Sequence, residues 1–288
     1  MTNILVTGGN GQLGNCLKDL SEELSSQYNF IFKSSEELDI TDFSSLTSFF
    51  ESNNLNYCIN CAAYTNVDQA EDDKALATSV NVNGVENLSK CCAGNGTVLI
   101  HISTDFVFDG ESSNPYLEKD ETNPINHYGS SKLLGEDMVL SYCEKHFIFR
   151  TSWLYSEHNN NFMKTMLKLS KIKDSLNVVW DQIGTPTYAK DLSKLILKII
   201  QNKMDNFGLY HFSNEGVASW YDFAYAIFVE TESEIKLLPI NTSEYPTRAV
   251  RPHFSVLDKS KVKQAFGVEI PHWRLSLKVA LKNFQKLN

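Results

Sequence analysis

The chain has 288 residues, 42% apolar and 21% charged, enough to bury a large core in one domain or two. A net charge of −9, with 26 basic against 35 acidic residues, argues against a general nucleic-acid or anionic-membrane binder. No apolar run approaches the roughly 18 residues of a membrane span. The opening Met-Thr-Asn has no basic segment and no signal-type apolar block, so a cytoplasmic protein is expected.

Residues 3–6 are a short apolar run that stops at glycines. Leu13, Leu17, Leu20 and Leu24 follow at helical spacing over 11–25. Further strands are predicted at 30–33, 57–62, 98–103 and 147–152, and helices at 44–50, 68–92 and 127–141. Thr41-Asp42 is a helix start signal, and Gly94-Asn95-Gly96 is a turn before the fourth strand. Short apolar strands alternating with helices imply an α/β fold, a doubly wound parallel sheet covered on both faces. Beyond residue 153 the pattern loosens. There 178–180 and 209–212 read as strands, and 190–200, 219–229 and 275–284 as helices, with Ser219 and Asp222 spaced as a capping box. The expected organisation is a main unit over 1–155 and a smaller C-terminal lobe over 156–288. Segments around 175–205 and 210–225 are expected to return to the main unit.

Gly8, Gly11 and Gly14 lie where the first strand turns into the first helix. Glycine there permits a tight turn and lets backbone N–H groups approach a pyrophosphate, to which the helix N-terminus adds partial positive charge. The spacing departs by one residue from the usual dinucleotide fingerprint. No single acidic residue caps the second strand. Lys33, Ser34 and Ser35 stand there instead and suit a 2′-phosphate, so NADPH is favoured over NADH.

Cys58 and Cys61 have redox or zinc spacing. They fall within a predicted strand whose alternation sets them on opposite faces, and no second Cys/His pair completes a site, so reduced structural thiols are expected.

Thr104, Tyr128 and Lys132 offer a hydroxyl, a phenol and an ammonium in chain order. Thr104 closes the fourth strand, at the edge where open α/β sheets bind ligands. Tyr128 and Lys132 open the next helix, and their i, i+4 spacing puts them on one face. An ammonium beside the phenol is expected to lower its pKa and suit it to proton transfer near neutral pH. Arg248 and Arg251 are two of only four arginines, and guanidinium groups suit a diphosphate.

These residues resemble the extended short-chain dehydrogenase/reductase superfamily, and within it the dTDP-4-dehydrorhamnose reductase family. The resemblance runs almost end to end. It takes in Gly8–Gly14, Leu38-Asp39-Ile40, residues 60–68, residues 103–108, Tyr128–Lys132 and Arg150-Thr151-Ser152-Trp153. It continues through Asn161-Phe162, residues 181–187 and residues 248–252. It implies a Rossmann-like sheet with a smaller C-terminal substrate-binding lobe. It also implies NAD(P)H-dependent reduction of the C4 keto group of a dTDP-4-keto-6-deoxy sugar. Gly11, Gln12 and Leu13 would hold the cofactor pyrophosphate, and Asp39 and Ile40 would lie by the adenine. Ala62, Ala63, Tyr64 and Thr65 would line the path to the nicotinamide. Tyr128 would be the proton donor, helped by Thr104 and Lys132. Thr104, Asp105 and Trp153 would contact the sugar, the indole stacking on its face. Some members dimerise around Mg²⁺ held by glutamates, one just after the third glycine. Asn15 stands there, so no metal is expected, and monomer and homodimer both stay open.

Three rival readings bear on these residues. Sugar-nucleotide dehydratases of the superfamily end the fourth strand in Thr-Asp-Glu; Phe106 replaces that glutamate, which removes the base for elimination. A reductase or epimerase for another sugar nucleotide is a close alternative. A non-catalytic subunit resembling the regulatory subunit of methionine adenosyltransferase is the alternative from another class.

Overall fold

The computed structural model describes residues 1–287. Its first half alternates strand and helix. β1 (Thr2–Thr7), α1 (Gln12–Ser21), β2 (Tyr28–Lys33), α2 (Phe43–Asn53) and β3 (Tyr57–Asn60) come first. α3 (Lys74–Thr78), α4 (Gly84–Asn95), β4 (Val98–Thr104), α5 (His127–Tyr142) and β5 (His146–Thr151) follow. Next are β6 (Leu154–Tyr155), α6 (Phe162–Leu169), β7 (Ser175–Val179), β8 (Ile183–Gly184), β9 (Thr187–Tyr188) and α7 (Ala189–Gln201). The chain ends with β10 (Gly208–His211), β11 (Ala218–Ser219), α8 (Trp220–Glu230), β12 (Lys236–Ile240), α9 (Ser260–Phe266) and α10 (Trp273–Leu287).

Six strands form one parallel sheet in the order β10-β5-β4-β3-β1-β2. The chain leaves β1 toward β2 and then returns to lay β3 on the other side. This reversal opens a crevice at the carboxyl ends of β1 and β3, where such sheets bind ligands. One face is covered by α1, α7 and α9 through Leu13, Leu17, Ile196, Ile200 and Phe266. The other is covered by α2, α4 and α5 through Leu46, Phe50, Leu88 and Val139. A separate cluster joins α6, α8 and α10 through Met163, Phe223, Ile227, Trp273 and Leu277. Within the segments 175–205 and 210–225, α7 and β10 lie with the main sheet, while β7 and α8 lie with the smaller cluster.

Short polar side chains start the helices. Asp42 accepts from the Ser45 amide at 3.0 Å, Asn126 from Gly129 at 2.8 Å and Asn161 from Lys164 at 3.1 Å. Ser219 and Asp222 make the reciprocal box that their spacing predicted. The helical stretch predicted over 68–92 is interrupted by a widened turn at 79–83. Buried Asn81 sits in it and bonds the backbone N–H of Tyr64 (2.9 Å), its carbonyl (3.1 Å) and Ser131 Oγ (2.9 Å). Such bulges recur where a helix serves a site. β3 stops at Asn60, whose side chain accepts from Thr7 Oγ1 at 2.7 Å and the Ala62 amide at 3.2 Å. Strand alternation therefore does not reach Cys61, and every cysteine is a free thiol.

Candidate active site

The turn from β1 to α1 passes directly over the end of β3. Gly8 has φ 62°, and a Cβ there would lie 2.6 Å from the Ala62 nitrogen; one on Gly14 would lie 2.5 Å from the Gly9 carbonyl oxygen. Both contacts are shorter than any side chain tolerates, so these two glycines let the loop lie flat across the crevice. α1 begins beyond Gly11 with no side-chain cap, so its first amides and its dipole are available to an anion at Gln12 and Leu13. β2 ends at Lys33, followed by Ser34 and Ser35; Lys33 lies 4.0 Å from Glu37, which accepts from the Ser34 amide at 2.8 Å. Asp39 is exposed and accepts from the Thr41 amide at 2.8 Å, whereas Ile40 is buried against Gly84. Ala62, Ala63 and Tyr64 follow β3 half-buried, and Thr65 is exposed. A flat glycine cradle, an uncapped helix start and a basic, hydroxyl-bearing strand end fit an NADP-type dinucleotide.

Thr104, the last residue of β4, and Asp105 are buried, and Tyr128 on the first turn of α5 is half-buried. Thr104 donates to Asp105 Oδ1 at 3.1 Å. Burial pushes the Tyr128 phenol up to about 12; hydrogen bonding with Thr104 pulls it down, and the Asp105 charge adds to the rise. This corrects the expectation of a lowered phenol. The reason is where Lys132 points: its Nζ donates to the Ile102 carbonyl at 2.6 Å, so desolvation of the phenol prevails. Burial lowers Lys132 itself to about 8, with Glu136 opposing that fall. Burial also raises Asp105 to about 6, although hydrogen bonds from Ser255 and Thr104 resist the rise. Asp105 Oδ2 is buried with no partner, an acceptor suited to a ligand hydroxyl.

Tyr128, Lys132 and Glu136 occupy successive turns of α5. Glu136 accepts from Arg150 Nε at 2.9 Å and Nη2 at 2.7 Å, and from the Ser103 hydroxyl. α5 is thereby tied to β4 one residue before Thr104. Asn126, which caps α5, also donates to the Val250 carbonyl at 2.8 Å. It thus links the start of that helix to the segment carrying the two arginines.

Phe106, Trp153, Gln182, Trp220, Arg251, Pro252 and Ser255 line a narrow pocket. Phe106 also meets the Tyr128 ring edge-on at 5.6 Å. Trp153 and Arg251 thus line one pocket. One face of Trp153 is already covered. Trp220 lies parallel to it at 3.6 Å and 8°, an apolar contact that shields the indole from water. Arg251 pairs with Asp68 at 2.8 Å and holds that carboxyl below its usual range. Arg248 is mostly exposed and pairs with Asp72, away from the pocket.

Sequence reasoning missed Asn126, Glu136, Asp68 as the Arg251 partner, and Trp220. Asn126 alone carried a local signal, an asparagine immediately before a predicted helix. Asn15, at the position discussed for Mg²⁺, donates to the carbonyls of Asn10 and Gly11 at 2.9 Å each. Nearby, Asp19, Glu157 and His158 bring ligand-type atoms within 4.8 Å of one another. Lys190 Nζ lies 3.7 Å from both carboxylates, and His158 bonds Asp19 at 2.9 Å, so these oxygens already have cationic or donor partners.

A family model described as the RmlD substrate binding domain matches residues 1–286. A dTDP-4-dehydrorhamnose reductase of Aggregatibacter actinomycetemcomitans is 43% identical, over 96% of this chain and 98% of the relative. A solved dTDP-4-dehydrorhamnose reductase from Clostridium acetobutylicum superposes with a TM-score of 0.95 at 41% identity, covering 99% of this chain and 100% of that one. The corresponding Bacillus anthracis enzyme, solved in complex with NADP, gives a TM-score of 0.94 at 38% identity, with 98% and 100% covered. Sequence and architecture agree over the whole length, and this chain belongs to the dTDP-4-dehydrorhamnose reductase family.

Proposed function

We propose that the protein reduces the C4 carbonyl of a dTDP-4-keto-6-deoxy sugar, converting dTDP-4-dehydrorhamnose to dTDP-L-rhamnose with NADPH. The observation that carries this reading is the joint placement of Thr104, Tyr128 and Lys132 beside a glycine cradle fit for NADP. When bound, the nicotinamide supplies a hydride to the carbonyl carbon. Gly11, Gln12 and Leu13 hold the cofactor's pyrophosphate, and Lys33, Ser34 and Ser35 face its 2′-phosphate. Tyr128, protonated at neutral pH because burial raises its pKa to about 12, donates its proton to the C4 oxygen. Thr104 hydrogen-bonds the phenolate left behind, and Lys132, held on the Ile102 carbonyl, would hydrogen-bond the nicotinamide ribose. Asp105 accepts a sugar hydroxyl through its unpartnered oxygen. Phe106 offers no second carboxylate beside Asp105, so the site lacks the acidic pair for C5–C6 elimination.

No helix among the described residues is long and apolar enough to cross a membrane. The reading places the enzyme in the cytoplasm, as a monomer or a homodimer. The test is NADPH oxidation by the purified protein on a panel of 4-keto-6-deoxy sugar nucleotides, with C4 stereochemistry read by NMR. Oxidation with the dTDP-4-keto sugar and an L-rhamno product is expected. No oxidation with any member of the panel would return the protein to the non-catalytic reading.

A further inference from the structure

Trp153 adopts φ 46°, a left-handed conformation that bulky side chains seldom take. Something around it must over-determine that conformation, and three contacts do so. The Trp153 carbonyl accepts from the Thr187 amide at 3.2 Å. β8 brings Gly184 against the indole, where a Cβ would lie 2.7–2.9 Å from Cε2, Cζ2 and Nε1. Trp220 stacks on the ring at 3.6 Å, backed in turn by Phe162 at 4.7 Å.

The last two supports form one unit. β8 pairs with β11 through Gly184↔Ala218 and Ile183↔Ser219, and Trp220 follows Ser219 as the first residue of α8. The Ser219–Asp222 capping box fixes that helix start, and with it the direction of the Trp220 side chain. A two-strand patch thus carries both the backing glycine and the stacking indole. Trp220 covers one face of Trp153 and Gly184 abuts its ring atoms, and both indoles line the pocket. The space enclosed among these residues admits little more than one water molecule, so the orientation of Trp153 decides how much of a sugar fits.

We propose that Trp220 is a positioning residue of the sugar subsite, which fixes the orientation of Trp153 and thereby sets affinity for the sugar portion of the substrate. The proposal rests on the reading that this pocket takes the sugar. It does not place Trp220 on the reacting atoms, so binding should suffer more than the chemical step.

The test compares Trp220→Ala, Trp220→Phe, Trp153→Ala and the Trp153→Ala/Trp220→Ala double variant. Steady-state kinetics use the dTDP-4-keto-6-deoxy sugar. Binding of the dTDP-6-deoxyhexose product by calorimetry gives a readout independent of turnover. Trp220→Ala should raise KM, and weaken product binding, about tenfold, with kcat changed less than about threefold and NADPH affinity unchanged. Trp220→Phe, which keeps a stacking ring, should recover most of the loss. In the Trp153→Ala background, Trp220→Ala should add less than about twofold, because the two act as a unit. Near-UV circular dichroism of the wild type should show a coupled-indole signal that both single alanine variants lose. The proposal fails if Trp220→Ala leaves KM and product binding within about twofold of wild type. It also fails if kcat and NADPH affinity fall with them, or if phenylalanine restores nothing. A wild type that binds no dTDP-sugar at all would instead overturn the functional reading.

Discussion

Arg150 on β5 and Glu136 on α5 form a two-pronged ion pair at 2.9 and 2.7 Å, with their side chains 5% and 2% exposed. A pair so desolvated gains little net stability over an apolar filling, yet losing one partner strands the other charge. Its position explains its use: it joins the third turn of α5 to the strand beside Thr104. Glu136→Gln should destabilise the fold by about 3–5 kcal/mol. In thermal unfolding at neutral pH that is a fall in Tm of roughly 10 °C. A shift of under about 2 °C would show the pair to be dispensable.

Tyr128→Phe removes the proton donor and keeps the ring that meets Phe106 edge-on. General acid catalysis contributes about 10²–10⁴-fold, so kcat should fall by that order while NADPH still binds. A variant with more than half of wild-type kcat would dismiss Tyr128 as the donor.

The pH dependence of kcat/KM reports groups of the free enzyme. Asp105 is raised to about 6, so its charge is lost as pH falls through that value. Lys132 is lowered to about 8, so its charge is lost as pH rises through that value. Tyr128 at about 12 keeps its proton throughout. The profile should be a bell with limbs near pH 6 and 8, and Asp105→Asn should remove the acid limb. An acid limb unchanged in that variant would assign it elsewhere. For stability the Lys132 sign runs the other way: its folded pKa lies below the usual 10.5, so the unfolded chain binds more protons between pH 8 and 10.5. Its contribution to stability therefore rises over that window.

Asp105 is followed by Phe106 rather than by a second carboxylate, so dTDP-glucose should yield no 4-keto-6-deoxy product with the purified protein and NAD⁺. Detection of that product by NMR would contradict the reductase reading.

Arg251 lines the pocket and Arg248 does not. Hydrogen bonds to charged groups contribute about 1.5–3 kcal/mol, so Arg251→Ala should raise substrate KM roughly 10- to 100-fold with little change in kcat. Arg248→Ala, which removes a mostly exposed pair with Asp72, should change it less than about threefold. Equal effects of the two substitutions would restore the two-arginine clamp suggested by their spacing.

Everything in this site that depends on near neighbours along the chain was legible beforehand. Gly8, Gly11 and Gly14 mark a strand-to-helix turn by spacing alone. Thr104 ends an apolar run, and the i, i+4 pairing of Tyr128 and Lys132 follows from helix geometry. The parallel sheet followed from alternating periodicities. What the tertiary structure decided are the contacts across long separations. Lys132 turns onto the Ile102 carbonyl and leaves the phenol to be raised by burial. Arg251 reaches Asp68, Asn126 reaches Val250, and Trp220 covers Trp153. None of these pairs shares a helix turn or a strand register, so no local periodicity encodes them. The first arises when α5 packs on β4, and the other three when residues 218–252 lie over the carboxyl edge of the sheet. Burial there sets the charges, and packing sets which face of each ring stays open.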